Sequence, residues 1–135
     1  MLLFYLKNKK LKMKNLNPLV YFEIPVNDLD RAVEFYSKVF GYEFERGDIH
    51  GNEMAFFPYG DGMPGATGAL AKGEIYKPTK DGAVLYLKCD KIYDILKRVT
   101  ELGSEILFPK TSVPTGGFVA EFEDSEGNRI AVLGD

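Results

Sequence analysis

The chain has no tryptophan, a single cysteine, a single histidine and no excess of positive charge. The lone cysteine, Cys89, rules out an internal disulfide and fits a reducing, cytoplasmic setting. It ends the largely apolar run Val84–Cys89 with no histidine nearby in sequence, so a small buried hydrophobe is expected rather than a reactive nucleophile. A formal charge of -3 and a pI near 5.3 give no electrostatic basis for nucleic acid as a partner. Long apolar runs are also missing. The opening Met1–Leu6 is far too short to span a bilayer and has neither the leading charges nor the small-residue cleavage site of a secretory signal, so no membrane partner is expected.

The composition is otherwise ordinary for a globular protein: 135 residues, 45% hydrophobic and 27% charged, the size of one domain. The charge is unevenly placed. Residues 1–16 hold Lys7, Lys9, Lys10, Lys12 and Lys14 and no acid, leaving twelve basic against twenty acidic residues in the remainder. The chain therefore divides into a basic N-terminal appendage at 1–16 and a domain at 17–135. The appendage is read either as an extra element docking on the domain or as an extension ahead of a start at Met13.

Val20–Val26 has apolar residues at alternate positions and reads as a strand. Asn27 or Asp28 can cap the next element, a helix whose apolar positions Leu29, Ala32, Val33, Tyr36, Val39 and Phe40 form one stripe, ended by Gly41. Strands are expected at Tyr42–Glu45, Met54–Phe57 and Gly65–Leu70, with a turn at 47–52. The pattern then repeats: strand Val84–Cys89, cap Asp90, helix stripe Ile92, Ile95, Leu96, Val99 and Leu102 closed by Gly103, and strands at Glu105–Phe108, Phe118–Glu123 and Asn128–Leu133. A shift of 63 carries Leu29, Ala32, Val33 and Tyr36 onto Ile92, Ile95, Leu96 and Val99, and a shift of 65 carries Phe57 onto Phe122. Such near-constant offsets indicate an internal duplication.

The expected fold is therefore α+β: two βαβββ modules, about 17–75 and 80–135, forming a curved mixed sheet with a concave cup and helices on the outer face. Strand alternation assigns the faces. Phe22, Ile24, Val26, Leu85, Leu87, Phe118, Ala120, Phe122, Ile130 and Val132 face the helices. The cup receives Tyr21, Glu23, Met54, Phe56, Tyr86, Lys88, Glu121 and Arg129, which are the candidate ligand-binding residues. Aromatic walls suit a flat or apolar small molecule, or else simply fill the cup or pack a dimer interface. Glu23 is the candidate catalytic residue. An unpartnered carboxylate in such a place has a raised pKa and acts as a base, whereas one paired with Lys88 or Arg129, or wetted by an open cup, is inert.

Two features carry less. His50 lies in the polar turn 47–52 and belongs to no motif, so a solvated side chain is expected. Gly60–Gly65 matches the letters of a dinucleotide-binding loop, but the next segment, Ala66–Leu70, is strand-like rather than helical. A loop between strands, able to act as a lid, fits better.

The run Phe22-Glu23-Ile24-Pro25-Val26-x-Asp28-Leu29-x-Arg31-Ala32-x-x-Phe35-Tyr36-x-x-Val39-Phe40-Gly41 resembles the opening of the glyoxalase / bleomycin-resistance / extradiol-dioxygenase (vicinal oxygen chelate) superfamily. Phe122-x-Asp124-x-Glu126-Gly127-Asn128-x-Ile130 resembles its closing motif, and the resemblance spans about residues 18–135. In metal-dependent members, that resemblance implies, two inward ligands per module hold a divalent metal. The first is usually a His seven residues before the Asp of the opening motif, where this chain has Tyr21; the second-module counterpart is Val84. The closing ligand is a Glu directly after the Ile of the final motif, where this chain has Ala131, and residues 65–72 of the fourth strand offer neither His nor carboxylate. The expectation is no metal and no other cofactor. The implied function is binding of a small organic molecule in the cup, with a homodimer as the family's implied assembly. A lyase, isomerase or dioxygenase with a displaced metal site, built from Glu23, Glu121 and Glu123, is one alternative. A ligand-sensing accessory of a transcription regulator is another.

Overall fold

The structure, a computed structural model, describes residues 16–135, so the expected appendage at 1–16 lies outside the described residues except for Leu16. The elements are β1 (Tyr21–Pro25), α1 (Leu29–Phe40), β2 (Glu45–Ile49), β3 (Asn52–Phe56), β4 (Thr67–Lys72), β5 (Tyr86–Lys88), α2 (Ile92–Glu101), β6 (Ile106–Ser112), β7 (Phe118–Glu123) and β8 (Arg129–Gly134). Each module carries its own four-stranded mixed sheet, ordered β1-β4-β3-β2 and β5-β8-β7-β6. In both, the first strand runs parallel to the fourth and the remaining pairs are antiparallel. The duplication read from the offsets is thus a duplication of topology, within an α+β fold.

Helix α1 begins where Asp28 accepts a hydrogen bond from the Arg31 amide at 3.0 Å, and it stops at Gly41, which adopts φ 77° and donates its N–H to Ser37 O at 2.8 Å. A left-handed residue is needed there, and glycine takes that shape without a Cβ penalty. At α2 the expected cap differs. Lys91, not Asp90, occupies the N-cap and makes no side-chain bond. The Ile92 amide instead donates to Asp135 O at 2.8 Å, while Asp135 N donates to Asp90 O at 3.0 Å. Backbone just past β8 satisfies an end that a side chain would otherwise cap.

The expected strand at Tyr42–Glu45 is displaced. Pairing starts at Glu45, opposite Phe56, and continues to Ile49 opposite Asn52. Tyr42 and Phe44 direct their rings into the core, Tyr42 stacked on Phe40 at 5.0 Å and Phe44 edge-on to Phe57 at 4.9 Å. The expected turn at 47–52 shrinks to His50-Gly51, whose φ values of 51° and 81° suit a tight two-residue hairpin.

The helices share one core. Ile24, Val26, Phe35, Tyr36, Val39 and Phe57 of the first module join Ile92, Ile95, Val99, Phe122, Ile130 and Val132 of the second in a single buried cluster. Phe35 meets Phe122 at 6.1 Å across the module boundary. Burial of this order supplies the main driving force for joining the two halves. No helix among the described residues is long and apolar enough to cross a membrane.

Candidate functional site

The alternation in β1 sends Ile24 and Val26 into the shared core and leaves Tyr21 and Glu23 on the opposite face. Register then sets their neighbours. Glu23 lies opposite Ala69, which lies opposite Phe56; Pro25 lies opposite Ala71, which lies opposite Met54. Met54, Ala69 and Ala71 are buried together, with Phe56 and Tyr76 packed against them, as a second and smaller apolar cluster. Small alanine side chains therefore form the floor beside Glu23.

Tyr76 reaches this floor from the turn after β4, where its N–H donates to Gly73 O at 3.1 Å. A Cβ at Gly73 would press on the Asn52 side-chain amide and approach the Tyr76 ring, so a larger residue in this close turn would make Asn52 move aside. The Tyr76 hydroxyl donates to Glu23 Oε1 at 2.8 Å, and the Tyr21 hydroxyl donates to Oε2 at 3.0 Å. Each carboxylate oxygen receives one phenol. Burial first, then the hydrogen bond to Glu23, pushes the Tyr21 hydroxyl up to about 12. Tyr76 is raised as well, chiefly by its own hydrogen bond to Glu23. Both phenols stay protonated at neutral pH.

Among the described residues, the ion pairs weighed for Glu23, with Lys88 or with Arg129, do not form. Arg129 Nε lies 2.7 Å from Glu121 Oε1, a close ion pair whose N–H is not aligned on the oxygen as a hydrogen bond. Lys80 lies 3.4 Å from Glu123. Tyr86, Ala131 and Glu121 form one cross-strand row, and Lys88 pairs in register with Leu133.

The eight expected residues all lie in strands but do not share a single cavity. Glu23 and Arg129 line a hollow of about 200 Å³ between β1 and the start of β8, together with Pro25, Thr79, Ala83 and Asn128. Tyr86 and Lys88 border another of about 440 Å³ beside Leu19 and Phe22. Tyr21, Met54 and Phe56 contribute to neither, while Glu121 comes in through its contact with Arg129. A larger hollow, about 580 Å³, lies against α1 and the 123–127 turn, lined by Arg31, Glu34, Leu102 and Ser104, and takes none of the eight. Two of its polar groups, Arg31 and Asp124, are bound within the fold.

That turn explains the closing motif. Asp124 is buried and accepts from the Tyr36 hydroxyl at 2.6 Å, Asn128 Nδ2 at 3.0 Å, and the amides of Glu126 and Asn128 at 2.8 and 2.9 Å. Desolvation raises its pKa despite these four donors. Glu126 accepts from the amides of Asn27 and Asp28 and from Arg31 Nε and Nη2 at 2.7 and 3.0 Å. Burial alone would raise Glu126, but Arg31 and the amides outweigh it and hold the carboxyl below its ordinary range. The motif bolts the N-terminus of α1 to the second module.

A divalent metal finds little to hold it. The Tyr21 hydroxyl is committed to Glu23, Ala69 and Ala71 present methyl groups, and Ala131 is fully buried. Glu23, Glu121 and Glu123 are each engaged with a different partner, and among the described residues no group of three or more His, Cys, Asp or Glu converges. The residues do not fit the group. His50 sits exposed at the β2–β3 hairpin tip, and Gly60–Gly65 leads into strand β4, with no helix N-terminus to meet a pyrophosphate. Cys89 is partly buried, and burial, with Asp90 and Asp135 nearby, pushes its thiol up, away from nucleophilic character.

Two βαβββ modules, each with its first strand parallel to its fourth and both backed by one helical core, define the class of protein. The chain belongs to the glyoxalase/bleomycin resistance protein/dioxygenase superfamily, whose family model matches residues 18–132. It is 34% identical over 118 residues to a glyoxylase-like domain-containing protein of Didymella fabae, covering 82% of this chain and 88% of that one. Among solved structures it resembles a glyoxylase/bleomycin resistance protein/dioxygenase domain from Frankia sp. EAN1pec, with TM-score 0.67, 17% identity, and coverage of 89% and 98%. It also resembles an E144Q mutant of glyoxalase I from Zea mays, with TM-score 0.67, 19% identity and 87% of this chain covered, though the match spans 46% of the maize chain. These structural likenesses concern the fold.

Proposed function

We propose that this protein binds a small organic molecule on its concave face and does so without the superfamily's divalent metal. One observation carries the reading: where metal-dependent relatives would converge ligands, this chain has a carboxylate, Glu23, held by two phenols beside a floor of alanine and methionine. The binding residues are Tyr21, Glu23, Met54, Phe56, Tyr86, Lys88, Glu121 and Arg129, and Tyr76 joins them. The accessible rings of Tyr21, Phe56 and Tyr86 bury the body of the ligand, and the few polar groups orient it. Glu23 is the group positioned to accept a proton from that ligand.

Elemental analysis of protein purified without chelator tests the metal part of the reading. No stoichiometric Ni, Zn, Fe or Mn is expected, and a tightly held equivalent of any of them overturns it. Thermal-shift screening against small aromatic compounds tests binding. Hits are expected, and Tyr86→Ala, at a side chain that is half exposed and little used by the core, is expected to abolish them. The setting is cytoplasmic, and a second copy of the chain is the expected partner. Val20, Tyr86 and Leu133 stay 83%, 55% and 43% exposed, and a symmetric neighbour would cover them. Light scattering at micromolar concentration reads this directly as twice the monomer mass.

A further inference from the structure

We infer that the Tyr21–Glu23–Tyr76 unit is the polar anchor of the site and selects a small cationic ligand, an amine or amidine carried on an apolar or aromatic body. This rests on the reading that the concave face binds a small molecule, and it names that molecule's charge.

Lone pairs and protons set the polarity of the anchor. A metal in such a cup gathers oxygen lone pairs of the ligand, so the ligand must present acceptors. Here the pole has the opposite polarity. A carboxylate has about four acceptor positions, and Glu23 receives one phenol on each oxygen. Acceptor capacity remains on both oxygens. The phenols have no proton to spare for a ligand, because each O–H is already directed at Glu23. What Tyr21 and Tyr76 can still offer is their own oxygen lone pairs. All the polar atoms of the unit therefore ask for a donor.

Charge points the same way. Among the described residues Glu23 has no ion-pair partner, and Arg129, the cation that shares its cavity, lies against Glu121. Residues 17–135 carry twelve basic and twenty acidic side chains, so the field around the domain favours the approach of a cation. The two phenols fix both carboxylate oxygens in place before any ligand arrives, which lowers the ordering cost of binding. The wall of the hollow that Glu23 lines is otherwise mostly apolar, with Phe22, Ile24, Pro25, Ala83, Leu85 and Ile130, and sets the other end of the ligand. A hollow of about 200 Å³ limits its size to a small molecule.

The test uses isosteric probes of opposite charge: benzylamine and benzamidine against benzoate, with benzyl alcohol as the neutral member, titrated by calorimetry and by NMR shifts at neutral pH. The amine and amidine are expected to bind at least about tenfold more tightly than benzoate. Glu23→Gln is expected to weaken the cations about tenfold or more while leaving benzyl alcohol within about twofold. Tyr76→Phe, which keeps the ring and removes one fixing hydrogen bond, is expected to weaken them about threefold. A melting temperature within a few degrees of the parent shows that each variant is folded. Benzoate binding as well as the cations, or cation binding unchanged in folded Glu23→Gln, overturns the inference. If benzoate or benzyl alcohol binds in a Tyr86-dependent way and the cations do not, the inference falls while the small-molecule reading stands. If none of the four binds, both fall.

Discussion

The carboxylates of Asp124 and Glu23 both accept short hydrogen bonds from tyrosines, and they have opposite fates. Asp124 takes Tyr36 at 2.6 Å and three further donors, all in buried surroundings, which leaves no acceptor position free. Glu23 takes Tyr76 at 2.8 Å and Tyr21 at 3.0 Å at a partly exposed strand position and keeps acceptor capacity in hand. The chemistry of the pair is the same in both. What differs is completion. A buried network with every member satisfied specifies a fold, whereas an incomplete one beside a cavity is poised for something from outside.

The largest effect is expected at the saturated site. Asp124→Ala strands the Tyr36 hydroxyl, the Asn128 amide and two backbone N–H groups, and we expect a loss of about 4 kcal/mol in urea denaturation. A loss below about 1 kcal/mol would mean that the two sites do not differ in kind.

Next comes Glu126→Gln, expected to cost about 2 kcal/mol at neutral pH, because a side-chain amide cannot serve both Arg31 and the Asn27 and Asp28 backbone amides equally. Its pH dependence has a definite sign. The folded-state pKa of Glu126 lies below its ordinary 4.5, so its stabilisation is fully present above 4.5 and is lost as pH falls through the lower folded value. The gap between parent and Glu126→Gln should therefore close on acidification. Asp124 runs the other way. Its folded pKa is raised above 3.8, so folding loses stability from that group as pH rises through the interval between the two values. Denaturation curves from about pH 6 down to about pH 3 separate the two behaviours.

The smallest stability effect is expected at the open site. Glu23→Gln should change stability by less than about 1 kcal/mol, its cost falling on ligand binding instead. Tyr76→Phe should cost about 0.5 kcal/mol. Equal destabilisation by Glu23→Gln and Asp124→Ala would mean that Glu23 too is a part of the fold's framework.

Much of this was legible in the sequence because it rests on periodicity. Strand parity placed Tyr21, Glu23, Met54 and Phe56 on the face away from Ile24, Val26, Ala55 and Phe57, in keeping with the two apolar clusters. The offsets of 63 and 65 pointed to the repeated topology. Periodicity fails where a segment's role is set by distant partners. Tyr42 and Phe44 alternate like a strand, yet the aromatic cluster around Phe57 claims their rings, and pairing starts later. Tyr76 sits in an aperiodic connection, and its partner Glu23 is 53 residues away. Nothing local marks it except a tyrosine three residues after a glycine. The roles of Asp124 and Glu126 depended likewise on partners 88 and 95 residues off. A motif can be visible in one dimension while its purpose appears in three.

The core common to both modules has one more consequence. Phe35 and Tyr36 belong to the first repeat by sequence, yet Phe122 and Asp124 of the second complete their surroundings. Neither repeat is thus a self-sufficient folding unit, and the stretch 73–85 acts as a tether that keeps two mutually dependent fragments at high effective concentration. Cut there, the fragments should stay unfolded apart and regain native circular dichroism when mixed, a single chain behaving as a pair of complementing peptides.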